Sequence, residues 1–384
     1  MNGKISNVDL KFTQEEYVFV NEVVGRISYL NAIISGNAIL PPSNGRDPFD
    51  TLAEKGQVTM ELLFETPKIS LELMLEKKDA EEPVSFAKVI AHEPTFKVLF
   101  LDNGVMNAEI AVRKYAIEDT RTDTLNVFKM FLEPGKIGGA LPAFLLGIER
   151  DMYGNGLYKI LLDNPAIVVL FDQLCEIVNF FNVELPVINQ IEYAAPQMWL
   201  EIKIRNFALS LLRDLANENS DSIQLKIKSF LFKYRNTHMS LWIRELSAFF
   251  CAVKQEGSDT RFIESLDVQY EALYGDRVEY DAQIGKILFR ISYREAFLLA
   301  DILENINKNL QNLSYIDQKI EPIQPEEIHK IGQMLRVRTE GVRVIVIDDL
   351  NNLHFPMFDI DFQQLSLDVS EWVSLIFVRL QTNL

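Results

Sequence analysis

Most of this chain alternates between apolar and polar residues with period two, the signature of strands that bury one face. Val58, Met60, Leu62 and Phe64 point one way, with Thr59, Glu61 and Glu65 the other. After Pro67 the alternation resumes as Ile69, Leu71, Leu73 and Leu75 against Lys68, Ser70, Glu72 and Glu76. Phe96, Val98 and Phe100 lead into Asp102-Asn103-Gly104, and Met106, Ala108, Ile110 and Val112 follow. Asn-Gly between two such runs predicts a hairpin on a type I′ turn, with positive φ at both central positions. Gly154-Asn155-Gly156 repeats the device between Phe144–Met152 and Leu157–Leu162. Beyond it, Met198, Leu200, Ile202 and Ile204 mark a strand, as do Ile223, Leu225 and Ile227. Further strands are expected over Ile243–Val253, Phe262–Ala272, Val278–Ile291, Arg336–Thr339, Val342–Ile347, Phe358–Leu367 and Trp372–Leu380. Roughly fourteen to sixteen strands with no βαβ rhythm predict an antiparallel meander.

Three segments carry helical spacing instead. Thr13-Gln14-Glu15-Glu16 is a capping box ahead of Tyr17, Val20, Val24 and Ile27. Asp163-Asn164-Pro165 supplies a cap and an early proline before Ile167, Leu170, Leu174, Val178 and Phe181. Ser292-Tyr293-Arg294-Glu295 is a second capping box, before Leu299, Leu303, Ile306 and Leu310. Each helix directly follows a strand. The caps recur about every 130–150 residues, so the chain reads as repeats of several strands and one helix, each burying its edges on its neighbours. Ser35–Gly56 and Gln311–Glu327, rich in Pro, Asn and charge, read as flexible loops at the joints. The expected organisation is the end of one repeat over 1–34, a loop over 35–56, and full repeats over 57–182 and 183–310. A second loop over 311–327 and the start of a further repeat over 328–384 complete it.

Charge narrows the partners. With 38 Lys+Arg against 55 Asp+Glu the formal charge is −17, which argues against nucleic acid and against strong adsorption to anionic lipid. Cys175 and Cys251 stand in apolar contexts far apart, so no disulfide framework or zinc spacing arises and a reducing, cytosolic setting is expected. No uncharged run approaches a membrane span, and Met1-Asn2-Gly3-Lys4 does not open a signal peptide.

Catalytic chemistry is hard to assemble. His92, His238, His329 and His354 have no partners at metal-ligand spacing, and neither a phosphate loop nor a Gly-x-Ser-x-Gly elbow occurs. Asp348-Asp349 and Asp359-x-Asp361 offer carboxylates to a hard cation, but a solvated strand end and strand face suit them better. Glu81-Glu82 before Ser85-Phe86-Ala87 faintly resembles an acidic-tract linear motif, with a solvated turn as the plainer reading. No enzyme, metal or cofactor is expected.

The apolar strand surface is more informative, because about one helix per five strands is too few to cover it. Either the strands close into sandwiches, with the alternation as ordinary core, or the sheet curls lengthwise into a gutter whose inner face meets lipid chains. The long repeats and joint loops favour the gutter.

Several passages resemble the vacuolar protein sorting-associated protein 13 (chorein) family of bridge-like lipid transfer proteins. They are Val8-Asp9-Leu10-Lys11-Phe12-Thr13-Gln14-Glu15-Glu16-Tyr17, and Asn103-Gly104 with Ala108-Glu109-Ile110 running on to Asp119-Thr120-Arg121 and Asn126-Val127-Phe128-Lys129. Arg290-Ile291-Ser292-Tyr293-Arg294, Val346-Ile347-Asp348-Asp349 with Phe355-Pro356, and Leu365-Ser366-Leu367-Asp368-Val369 continue the likeness in order. The resemblance implies a mainly β fold: an elongated antiparallel meandering sheet curled into a hydrophobic groove, with short helices at the repeat joints. It also implies bulk movement of glycerophospholipids between organelles, at membrane contact sites in the cytoplasm. Vacuolar protein targeting and autophagy are the associated processes. Organelle membranes and adaptor proteins would be met through regions outside this segment. The family's amino-terminal helix and its adaptor-binding region have no counterpart here, so the chain reads as an internal fragment with Met1 as an added start.

The apolar registers give the expected groove lining: Ile69, Leu71, Leu73, Phe96, Val98, Ile110, Leu200, Ile202, Ile227, Leu288, Val344, Val346, Ile360 and Leu367. A one-residue error in register would turn a whole strand over. The competing reading is a structural spacer or interaction protein with closed β-sandwich cores and no lipid cargo.

Overall fold

The computed structural model describes residues 2–34, 56–76, 82–122, 124, 126–134, 142–151, 155–183, 198–251, 260–275, 277–314, 332–348, 355–370 and 377–383. The protein is mainly β, as its alternation predicts, with three helices among the described residues. It divides into two compact units. The expected loops at 35–56 and 311–327 lie almost entirely outside the described residues.

Unit 1 holds residues 1–124, 129–163 and 172–201. Its strands are β1 (Asn2–Lys4), β2 (Val8–Thr13), β3 (Val58–Glu65), β4 (Lys68–Leu75), β5 (Val84–His92) and β6 (Thr95–Leu101). β7 (Met106–Val112), β8 (Lys114–Asp119), β9 (Met130–Pro134), β10 (Phe144–Arg150) and β11 (Gly156–Asp163) follow. They pair as two flanks. In the first, β1, β3, β6, β7, β10 and β11 lie side by side; in the second, β2, β4, β5, β8 and β9 do. Consecutive strands such as β3 and β4 are therefore halves of one long strand, broken at the same level as its neighbours.

Proline explains two of these breaks. Pro67 and Pro94 lack the N–H that a ladder needs. The adjoining groups close the gap sideways: Glu93 N–H donates to the Pro67 carbonyl at 2.8 Å, Thr66 N–H to the Pro94 carbonyl at 3.3 Å, and Arg113 N–H to the His92 carbonyl at 3.2 Å. Glu93 takes φ 49°, a left-handed conformation that turns the chain.

Each break also changes the parity of the apolar residues. Met60, Leu62 and Phe64 are even before it, and Ile69, Leu71 and Leu73 are odd after it. A strand of unbroken alternation would put these two sets on opposite faces. The extra residue returns them to one, as a β-bulge does.

Unit 2 holds residues 125–128, 164–171 and 202–384. β12 (Pro165–Val168) runs parallel to the later part of β13 (Met198–Leu212). β14 (Ser222–Arg235), β15 (His238–Cys251) and β16 (Thr260–Tyr274) are long antiparallel strands that cross from flank to flank. β17 (Arg277–Ile284), β19 (Gly332–Thr339), β22 (Gln364–Ser370) and β23 (Phe377–Asn383) continue from the later half of β16 as the first flank of this unit. β18 (Ile287–Ser292), β20 (Val342–Asp348) and β21 (Phe355–Phe362) continue from its earlier half as the second flank of this unit. Within this unit Asn206 and Glu245 are left-handed inside β13 and β15 (φ 49° and 53°), and consecutive strands part at Gly285, Gly341 and Gln363. Gly285 N–H donates to the Asp267 carbonyl at 2.8 Å, and Glu340 N–H to the Ile284 carbonyl at 3.0 Å.

The helices are α1 (Gln14–Ile34), α2 (Phe171–Phe181) and α3 (Tyr293–Ser314). Both capping boxes form. Thr13 N–H donates to Glu16 Oε2 at 2.7 Å and Ser292 N–H to Glu295 Oε2 at 2.7 Å, while each hydroxyl accepts the reciprocal backbone N–H at 3.3 Å.

Three expectations are corrected. The sheet is mixed, not antiparallel throughout: β1 and β2 run parallel to β3 and β4 across α1, and β17 and β18 run parallel to β19 and β20 across α3. A parallel step needs a long crossover, which the helix and its following segment supply. Asp163-Asn164-Pro165 is not a helix cap. Asn164 is left-handed (φ 53°), Pro165 opens β12, and the helix begins at Phe171. At Asn103-Gly104 only Gly104 has positive φ (79°). Gly104 N–H donates to the Leu101 carbonyl at 3.1 Å and Leu101 N–H to the Val105 carbonyl at 2.9 Å, a three-residue hairpin loop rather than type I′.

Candidate functional site

The two flanks of each unit treat their apolar faces differently. In unit 1 the second flank lies under α2. Phe180 is fully buried and Ile177 packs beside it, against Phe12, Leu71, Leu73, Leu75 and Phe86. Phe86 and Phe180 have ring centroids 5.6 Å apart, and Tyr17 reaches Phe181 at 5.1 Å. In unit 2 the second flank lies under α3, where Ile302, 2 % exposed, joins Ile223, Ala248, Phe250 and Phe262. These are closed cores.

The first flanks have no such cover among the described residues. In unit 1, Phe64, Phe96, Ile110, Leu146 and Ile160 face one another in a row across five strands, and Leu62, Val98, Ala108, Ile148 and Tyr158 form the next. Phe64 is 36 % exposed and the other residues of both rows stay partly open; Met60, opposite Phe100 beyond the second row, is 47 % exposed. Unit 2 repeats the arrangement. Phe232, Leu241, Tyr270, Ala282, Val337 and Leu367 form one row, all partly open, with Phe230, Ile243, Val268 and Ile284 beside it. Monomeric soluble proteins rarely leave contiguous apolar surface of this kind without using it.

The opposite face is charged. Lys97 meets Glu61 at 3.2 Å and Lys159 meets Glu149 at 3.2 Å in unit 1. In unit 2, Asp281 meets Arg338 at 3.0 Å and Arg343 forks onto Asp359 at 2.6 and 2.9 Å. The two faces are thus sorted strand by strand.

The expected lining residues fall in different places. Phe96 and Ile110 are direct cross-strand partners, Val98 lies in the next row, and Leu367 sits opposite Val337; all four are on open first-flank faces. Leu71 and Leu73 belong to the core under α2, with Leu73 3 % exposed, and Ile69 is on the same face nearer the break. Ile227 faces Leu246 beside the break in unit 2. Val344 faces Ile360 and Val346 faces Phe358 on the second flank; Ile360 is 48 % and Phe358 60 % exposed. Leu200 and Ile202 share one side of β13 and are half-buried. Leu288 is different: it stands opposite Arg343, which stands opposite Asp361, so it lies on the charged face, and its neighbour Phe289 takes the apolar one. Leu241, Tyr270 and Val337 were not among the expected residues, although their period-two spacing marks them.

Helix α2 is fixed by a buried ion network. Arg121, its side chain 4 % exposed, donates to Asp119 at 2.9 and 2.7 Å and reaches Asp172 at 2.9 Å and Glu176 at 3.5 Å on the helix. Burial alone would lower its pKa, but the Asp119 hydrogen bonds and the three carboxylates carry it above the ordinary arginine value. Gln173, fully buried, donates to the carbonyls of Phe86 at 3.4 Å and Glu118 at 3.3 Å. The network is structural: its carboxylates are spent on Arg121.

Other candidates lose their chemistry. Asp359 and Asp361 are taken by Arg343 and Lys286, and no cluster fit for a metal occurs among the described residues. Asp349, His329 and His354 lie outside the described residues, whereas His92 and His238 are exposed. Phe86 is 2 % exposed, so the acidic-tract motif cannot present it. No described helix is long and apolar enough to cross a membrane. No protein-family model matches the chain, and no curated protein is significantly similar to it.

Proposed function

We propose that this chain is a segment of a bridge-like lipid transfer protein of the chorein type. Its first-flank apolar faces hold glycerophospholipid acyl chains, and its charged faces meet the cytosol at contacts between organelle membranes. One observation carries the reading: in both units a row of five or six apolar residues stays partly open while a helix buries a cluster of apolar residues on the neighbouring flank. A phospholipid with some thirty chain methylenes exposes on the order of 25 kcal/mol of unfavourable surface in water, an upper value because chains fold on themselves. A continuous apolar floor removes most of that cost. The open rows contain few groups able to fix a headgroup, which suits movement past many weak positions rather than capture in one. The role is a conduit without covalent chemistry.

The helix-sealed flanks also favour a second reading, a spacer whose apolar faces are all closed by protein. Native mass spectrometry of the intact chain purified from cells separates the two. The conduit predicts several co-purifying glycerophospholipids per chain, and the pair Phe96→Asp with Ile110→Asp loses at least half of them with its circular dichroism unchanged. A lipid-free parent chain, or unfolding of that pair, would sink the conduit.

A further inference from the structure

The strand–helix junctions of the two units correspond residue for residue. β2 and β18 are each six residues long, each runs parallel to the strand that follows its helix, and each ends in the capping hydroxyl. Aligned on Thr13 and Ser292, Leu10 matches Phe289, Phe19 matches Leu298, Val20 matches Leu299 and Val23 matches Ile302. All four residues of unit 2 pack into one core with Ile223, Ala248, Phe250 and Phe262 of β14, β15 and β16. β18 meets β16 antiparallel at Phe289–Ile263 on one side and β20 on the other. Helix α3 therefore closes over the strands on the β16 side.

In unit 1 the four counterparts are between 37 and 64 % exposed. Among the described residues β2 pairs with β4 alone, which leaves its other edge open. Tyr17, set against Phe181 and the core under α2, holds the base of α1 in place. Unit 1 thus presents half of the arrangement that unit 2 completes. It offers a free strand edge beside an apolar helix face, and it suits an antiparallel strand with apolar residues toward the helix.

The chain also carries the other half. β21 pairs only with β20 among the described residues, and Phe358, Ile360 and Phe362 are exposed along it. They extend the rows Ile291–Val346, Phe289–Val344 and Ile287–Val342, the face on which Phe289 lies under α3. Asp359 and Asp361, between them, are already held by Arg343 and Lys286. An open apolar edge of this kind is a template for pairing.

We infer that β2 and α1 of one chain receive β21 of a second copy, antiparallel, as β18 and α3 receive β16 within the chain. The two surfaces differ, so the contact is heterologous, and a dimer keeps one of each free for further copies. The lipid-conduit reading is not required, because the open first-flank rows take no part.

Sedimentation velocity of the intact chain over a concentration series tests it. Association that deepens with concentration is expected. Phe19→Asp with Val23→Asp, and separately Phe358→Asp with Ile360→Asp, each weakens it by about tenfold or more with circular dichroism unchanged. Val20→Lys alone acts in the same direction and guards against a folding artefact. Mixing the α1 pair variant with the β21 pair variant restores a one-to-one dimer that grows no further, since each supplies one intact surface. Phe96→Asp with Ile110→Asp leaves association unchanged, which separates this contact from adhesion through the open rows. A chain that stays monomeric, association that survives either pair, or a mixture that stays monomeric overturns the inference. So does native mass spectrometry showing single copies with a foreign protein or lipid that the α1 pair displaces.

Discussion

Single residues set the level at which each long strand bends or breaks. Asn206 is left-handed, a conformation that asparagine tolerates and β-branched residues do not. Asn206→Val is therefore expected to cost about 1–2 kcal/mol, whereas Asn206→Gly leaves the denaturant midpoint nearly unchanged. Gly341 is held at φ 154°, and a Cβ there would stand 2.6 Å from the Gln363 carbonyl oxygen and 2.8 Å from that of Phe362. Neither backbone oxygen can move aside cheaply, so Gly341→Ala should lower stability by roughly 1–3 kcal/mol in the same measurement. Tyr115 tells a different story. Its buried hydroxyl has no hydrogen-bond partner among the described residues, and burial with the nearby Asp163 charge pushes its pKa up to about 12. The unfolded chain ionises this phenol near pH 10 and the folded chain does not, so stability is intact below pH 10 and falls between pH 10 and about 12. Tyr115→Phe should flatten that part of an alkaline unfolding profile followed by circular dichroism.

At the scale of elements, much was legible from sequence and some was not, for physical reasons. The capping boxes at Thr13 and Ser292 were readable because their signal is local, a hydroxyl and a carboxylate three residues apart. Asp163-Asn164-Pro165 misled because the same residue types serve a left-handed turn and the first position of a strand, and only tertiary pairing decides between them. The long strand read across Val278–Ile291 is two strands, and Leu288 went to the wrong face because the switch at Gly285 reverses the parity. Helix cover was likewise invisible. Leu73 and Phe96 carry the same alternating signal, yet one is sealed beneath α2 and the other stays partly open. The sealing has a measurable cost of removal: Phe180→Ala should destabilise unit 1 by about 3–5 kcal/mol. Arg121→Met should do so by a similar amount, since it strands the carboxylate of Asp119 in the interior. Both belong in chemical denaturation followed by near-ultraviolet circular dichroism.

For the molecule as a whole, the sorting of apolar and charged faces has a thermodynamic consequence if acyl chains occupy the open rows. A ligand that binds only the folded state raises the unfolding temperature. Chain stripped of lipid is expected to melt lower than chain purified with it, and added phosphatidylcholine should restore the difference. Equal melting temperatures would count against occupancy of those rows. The comparison needs no structure and is sensitive to both units at once.

The shared level of the breaks also constrains how such a protein can change length. Losing one residue at Gln363 would invert everything from Leu365 to Val369, turning Leu367 out to water and Asp368 in toward the grease. Gaining two residues within one half would merely widen that ribbon by one rung. Evolution of this scaffold should therefore favour even-numbered insertions inside its strands.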